Sequence, residues 1–185
     1  EGLNMFDGIN FRSFYKEKGK NISLSGNELN GLLDDPVDSI LWIATQRAGI
    51  NAYDYGKNKF YTYRKNPKDP NSLITDDITK IMPSSDGNLW ICTYWKGIDY
   101  YNKESKKFTH YNTTTLPGLP SNNIWTAFDG KDGNLYIGHV RHGFSILNLK
   151  TKQIKNFRHI EGDASSIPDD EVTCIYKDRL GNIWV

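Results

Sequence analysis

The sequence is poor in most features that would place a protein quickly. Cysteine occurs only twice in 185 residues, at Cys92 and Cys174. Two thiols are too few for a disulfide scaffold and do not settle the redox compartment. Apolar runs extend only a few residues, so no segment is long enough to cross a bilayer as a helix. Neither sign of charge is in excess, with 23 Lys and Arg against 22 Asp and Glu. Nucleic-acid binding needs clustered base, so no nucleic-acid partner is expected. The opening Glu1-Gly2-Leu3 does not read as a signal peptide, which leaves an export signal already removed or never present. Aromatic residues, by contrast, are abundant: 11 Tyr, 8 Phe and 5 Trp, or 13% of the chain. Disordered chains lack them, and the 16 glycines scattered among Asn and Asp lean the reading towards β-structure.

Internal repetition decides the fold class. Trp42, Trp90, Tyr136 and Trp184 follow one another at 48, 46 and 48 residues. Each sits in one setting: Leu41-Trp42-Ile43, Leu89-Trp90-Ile91, Leu135-Tyr136-Ile137 and Ile183-Trp184-Val185. A glycine comes seven residues later, at Gly49, Gly97 and Gly143, and Gly2 fits that place one period earlier. Eleven residues beyond the glycine stand Phe60, Phe108 and Ile154. Asp86-Gly87-Asn88 and Asp132-Gly133-Asn134 supply the positive-φ positions that hairpins need. Glycine, proline and β-branched residues fall too often to leave a helical stripe.

Each unit reads as four short antiparallel strands, and such a unit recurring at this period is the signature of a β-propeller blade. The fold class is therefore all-β, with three whole blades at 23–71, 72–117 and 118–165. Residues 1–22 read as the last two strands of a blade and 166–185 as the first two of one. The two partial sets make either a split closing blade or the cut ends of a longer propeller, and the ending inside an apolar strand favours the fragment. Strand edges exposed in that way admit pairing with a second copy, a homodimer. A blade cannot bury its apolar faces alone. Trp42, Trp90, Tyr136 and Trp184 are accordingly read as structural wedges between blades.

The wording of the repeat is specific. Asp86-Gly87-Asn88-Leu89-Trp90-Ile91-Cys92-Thr93, then Gly97-Ile98-Asp99-Tyr100-Tyr101 and Phe108-Thr109-His110-Tyr111, resembles the two-component regulator propeller repeat. The stretches leading into each unit agree: Ser72-Leu73-Ile74-Thr75-Asp76-Asp77, Gly118-Leu119-Pro120-Ser121-Asn122-Asn123 and Ser166-Ile167-Pro168-Asp169-Asp170-Glu171. Ala44 and Cys92 replace a glycine of the pattern, Tyr136 a tryptophan and His139 a threonine. The resemblance implies the periplasmic sensor region of a hybrid two-component histidine kinase and response regulator, in an inner-membrane protein. It implies a phosphorelay that regulates transcription, a membrane span and kinase only downstream of this segment, and an oligosaccharide as the ligand.

Within each blade, the loop between the second and third strands and the stretch leading into the first strand should open on one face. Those loops read Gln46-Arg47-Ala48, Tyr94-Trp95-Lys96 and Val140-Arg141-His142. A pyranose packs its flat side on an aromatic ring, and cations donate to its hydroxyls. The candidate ligand contacts are therefore Arg47, Tyr94, Trp95, Lys96, Arg141 and His142, on loops of a rigid scaffold. The bland alternative is that Trp95 caps its own blade and the cations are merely solvated. Asp76, Asp77, Asn122, Asn123, Asp170 and Glu171 are read as backbone-bonding groups. No metal, cofactor or catalytic residue is expected, because His139 and His142 lack a third ligand and the Asp-Gly turns lack a denser oxygen cluster. A propeller glycoside hydrolase or lyase would need two carboxylates facing a sugar. Ser84-Ser85-Asp86-Gly87-Asn88-Leu89-Trp90 is one residue short of a sialidase Asp-box. A protein-interaction propeller is the remaining alternative, although the Gly-His and Trp-Asp marks of WD repeats are missing.

Overall fold

The computed structural model describes residues 1–17 and 23–185. Residues 18–22, with which the first expected segment (1–22) closes, lie outside the described residues. By its contacts the chain falls into two compact units, Glu1–Ile81 and Met82–Val185.

Every regular element among the described residues is a strand. A two-stranded sheet pairs β1 (Leu3–Phe6) with β2 (Phe11–Phe14). The first complete sheet runs in order through β3 (Leu29–Asp35), β4 (Ile40–Thr45), β5 (Ile50–Asp54) and β6 (Lys59–Tyr63). The second is built of β7 (Ile78–Pro83), β8 (Leu89–Thr93), β9 (Gly97–Asn102) and β10 (Lys107–Tyr111). The third follows as β11 (Ile124–Asp129), β12 (Asn134–His139), β13 (Phe144–Asn148) and β14 (Ile154–Phe157). A last two-stranded sheet joins β15 (Tyr176–Lys177) to β16 (Ile183–Trp184). The three antiparallel four-stranded meanders are the blades that the repeat predicts.

The repeated glycine explains the regularity. Its N–H donates to a carbonyl in the stretch leading into the following unit: Gly2 to Asn27 at 2.9 Å, and Gly49 to Asp76, Gly97 to Asn122 and Gly143 to Asp170 at 2.8 Å each. The same Asn or Asp then turns its side chain back. Its Oδ1 accepts from the backbone N–H just past the fourth strand, from Lys16, Lys65 and Thr113 at 2.7 Å and from His159 at 2.9 Å. One residue thus ties three segments. All four glycines have positive φ, a region that side-chain-bearing residues rarely enter.

Within each unit, cores form between neighbouring sheets. In the first unit Leu3 of β1 buries with Leu24, Ile43, Tyr53 and Phe60, and Phe14 packs against them. In the second, Met82, Trp90 and Ile98 meet Ile124, Ala127, Ile137 and Leu147 across the β7–β10 and β11–β14 sheets. Trp42, Trp90 and Tyr136 are buried. Trp184, assigned the same role, is 62% exposed. Its two-stranded sheet offers nothing to cover the ring, and its indole N–H donates to Asp178 at 3.0 Å. The first strand of this pair is short, covering only Tyr176–Lys177. The Val172 N–H donates to the His139 carbonyl at 3.0 Å, and Val172 and Ile175 bury against Tyr136 and Phe144, so this stretch serves the neighbouring sheet.

Candidate functional site

The three loops between second and third strands share one closure and differ in what fills it. Thr45 Oγ1 donates to the Gly49 carbonyl at 2.6 Å, and Thr93 Oγ1 to that of Gly97 at 2.7 Å. Mid-loop, Arg47 and Trp95 occupy the left-handed region at φ 60° and 69°, a conformation that costs roughly 1–3 kcal/mol for a residue other than glycine. Both side chains are exposed. Arg141, at the matching place, is exposed as well but lacks the positive φ.

In the second unit, backbone bonds draw two of these loops to one stretch of chain. Gly97 N–H reaches the Asn122 carbonyl, and Val140 N–H reaches the Asn123 carbonyl at 3.2 Å. Asn122-Asn123 therefore lies between loop 93–97 and loop 139–143. Two residues on, the β11–β12 ladder slips between Ile124 and Thr126, so Trp125 has no cross-strand partner. Such a slip re-aims a side chain. Tyr94 stands edge-on to Trp95 at 5.5 Å and to Trp125 at 6.2 Å between ring centroids. Trp95 is 63% exposed and Trp125 39% exposed.

The structure thus joins Tyr94 and Trp95 into one aromatic surface and adds Trp125, which the sequence reading missed. The available signal was its register. Asn30, Thr79 and Thr173 stand where Trp125 does in the other repeats, so a large aromatic replaces small polar residues. In β3 a similar slip isolates Asn30, whose amide donates to the Ile78 carbonyl at 2.6 Å. Lys96 is exposed beside Trp95, and His142 is half-buried. Arg47 belongs to the first unit, where its neighbour Gln46 donates to the Glu28 carbonyl at 2.9 Å.

Of the carboxylates that lead into the strands, Asp76 accepts from the Lys65 N–H and Asp170 from the His159 N–H. Asp170 accepts from Arg158, whose guanidinium holds the carboxyl below its ordinary range. The carboxyls of Asp54, Asp86, Asp132 and Asp178 are lowered as well. That is opposite to the direction a glycosidase general acid requires. Among the described residues no group of three or more His, Cys, Asp or Glu could hold a metal.

Among the described residues, two buried side-chain polar atoms have no partner, Asn123 Oδ1 and His139 Nδ1. His139 fills the threonine place of its loop, with its backbone N–H on the Gly143 carbonyl and Nε2 2.8 Å from Ser145 Oγ. Burial, aided by the positive charges of His142 and Arg158, depresses its pKa to about 4. An unfolded histidine titrates near 6.5. Below that pH the unfolded chain therefore binds a proton that the folded chain refuses, and stability falls until about pH 4. The linked loss is about 3 kcal/mol. His139→Thr, which restores the residue of the other loops, should flatten this acid dependence in urea midpoints taken from pH 7.5 to 4.5. An unchanged slope would remove His139 as its source.

The family described as two component regulator propeller matches residues 72–95, 118–141 and 166–185. The chain is 50% identical, over its full length and at a TM-score of 0.91, to an extracellular domain assigned to hybrid two component system BT3049 of B. thetaiotaomicron. Its repeats are those of the two component regulator propeller family. The regulator propeller segment spans only 24% of that solved chain, about a quarter of its length. A second extracellular domain from the same organism, assigned to system BT4673, is 22% identical over 96% of the segment and shares the fold at a TM-score of 0.74; the segment again covers 24% of it. An auxiliary nutrient binding protein of B. thetaiotaomicron aligns at 15% identity and a TM-score of 0.62, over 85% of the segment and 36% of that chain. No curated protein matches. Each stretch matched by the regulator propeller repeat begins in the lead-in, and the first two end in the 2–3 loop, at Trp95 and Arg141. Those are the elements that frame the aromatic surface.

Proposed function

We propose that this regulator propeller segment senses a ligand in the extracytoplasmic region of a hybrid two-component sensor, and that the ligand is an oligosaccharide bound without cleavage. The family and the 50% identity to an extracellular domain of such a system support the sensor reading and the location outside the cytoplasm. A periplasmic setting in an inner-membrane protein, with its kinase elsewhere in the chain, belongs to the same proposal.

The observation that carries the ligand class is Trp95. A large ring left 63% exposed at positive φ, braced by Tyr94 rather than by the core, suits stacking on a sugar better than packing a blade. Lys96 beside it supplies donors for hydroxyls. The downward-shifted carboxyls favour recognition over hydrolysis.

Calorimetry on the protein with cello-, manno-, xylo-, galacto- and maltohexaose, followed by chromatography of the mixtures, tests this reading. Saturable binding to at least one sugar with no product is expected, weakened about tenfold in Trp95→Ala, the loss of one ring stack. Turnover, or no binding to any of the five, would defeat it.

A further inference from the structure

We infer that Trp125 and Asn123 complete the sugar subsite begun by loop 93–97: a pyranose ring packs on the Trp125 indole while a ring hydroxyl hydrogen-bonds the Asn123 amide. This inference rests on the oligosaccharide reading above and adds the residues on the β11 side.

Trp125 has no evident structural task. Ile124 before it and Ala127 after it are buried in the core between sheets, whereas Trp125 is 39% exposed and stands at the slip in the ladder. Threonine serves at this register in β7, as Thr79. Tyr94 meets both indoles in T-shaped contacts, and both indoles stay partly open to solvent. Half-buried itself, Tyr94 links the two indoles into one surface.

Asn123 supplies the second, independent observation. The residue is 8% exposed, and its Oδ1 has no partner. Its backbone is already spent: the N–H donates to Ser121 Oγ at 3.0 Å, and the carbonyl accepts from Val140. Buried polar atoms left unsatisfied are rare in folded proteins, and each calls for an explanation. Along the chain Asn123 sits between groups of the proposed site. Asn122, on one side, holds Gly97, two residues past Trp95; Trp125, on the other, touches Tyr94. A neutral amide beside flat rings matches a pyranose, which offers an apolar face together with hydroxyls that both donate and accept.

The test uses the five hexaoses named above with three variants. Trp125→Thr should leave the melting temperature within a degree or two of the parent and weaken binding about tenfold. Asn123→Ala removes an unpartnered acceptor, so it should keep or raise the melting temperature while weakening binding several-fold. Trp125→Phe, which retains a ring, should recover most of the affinity. If Trp95→Ala weakens binding but Trp125→Thr and Asn123→Ala do not, this inference falls and the oligosaccharide reading stands. A drop in melting temperature for Asn123→Ala with unchanged affinity would make Asn123 structural and overturn its part. If the parent protein binds none of the five sugars, both readings fall together.

Discussion

Gly97→Ala should destabilise the protein by about 2–4 kcal/mol, far beyond the usual effect of adding one methyl group. Gly97 has φ 93°, and a Cβ there would come within 2.2 Å of the Tyr111 carbonyl oxygen and 3.1 Å of Asn112. The fourth strand cannot move away, because Asn122 holds both Gly97 and the N–H of Thr113. Gly87 makes the matched control. Its φ is similar, 85°, but a Cβ there meets nothing within 4 Å. Gly87→Ala should therefore cost only the backbone strain, about 1 kcal/mol. Urea midpoints of the two variants separate crowding from φ, and equal losses would deny that the glycine-to-strand approach sets the repeat.

Trp90→Ala should cost about 3–5 kcal/mol. The ring is 2% exposed and packs beside Tyr100 and Tyr111, at 4.9 and 5.5 Å between centroids. Its N–H donates to Asp129 Oδ2 at 3.2 Å, which joins β8 to the sheet that follows. Asp129 also accepts from the Ser85 and Lys131 N–H groups, so it keeps partners when the indole is removed. Trp90→Phe, which retains most of the packing, should cost about 1–2 kcal/mol for the lost charge-assisted bond. Thermal denaturation of both variants would show whether packing or the hydrogen bond dominates. A loss for Trp90→Ala below about 1 kcal/mol would contradict the wedge role.

The architecture was legible because its determinants are backbone requirements and bulky apolar residues at fixed intervals. Gly49, Gly97 and Gly143 are set by one steric condition, a carbonyl 2.1–2.2 Å from the absent Cβ. Trp42, Trp90 and Tyr136 occupy places that only a large ring fills. The structure departs from the pattern where a neighbour decides. Ser84, which bonds Asn88 across the turn, stands in the second sheet where Asp35 faces Ile40 in the first, so Trp90 turns to Asp129 of the next sheet, while Trp42 bonds Asp35 of its own. Val172 is drawn to His139, which shortens β15 to Tyr176–Lys177.

The candidate site was legible only in part, for the same reason. Tyr94, Trp95 and Lys96 could be placed by their offset from Gly97. Trp125 is marked in the sequence only as an aromatic where the other repeats carry Asn30, Thr79 and Thr173; the slip that frees it from the ladder is visible only in the structure. Nor does the sequence reveal that Asn122 spends its side chain on Thr113 while Asn123, one residue later, keeps an oxygen without a partner.

Backbone amide hydrogen exchange, with and without a saturating hexaose, tests the central claim most directly. Slower exchange confined to loop 93–97 and to residues 122–126, with the Asp86-Gly87-Asn88 turn unaffected, is the predicted result. Protection at the Asp-Gly turns with none at Trp95 or Trp125, or release of shorter sugars during the experiment, would contradict it.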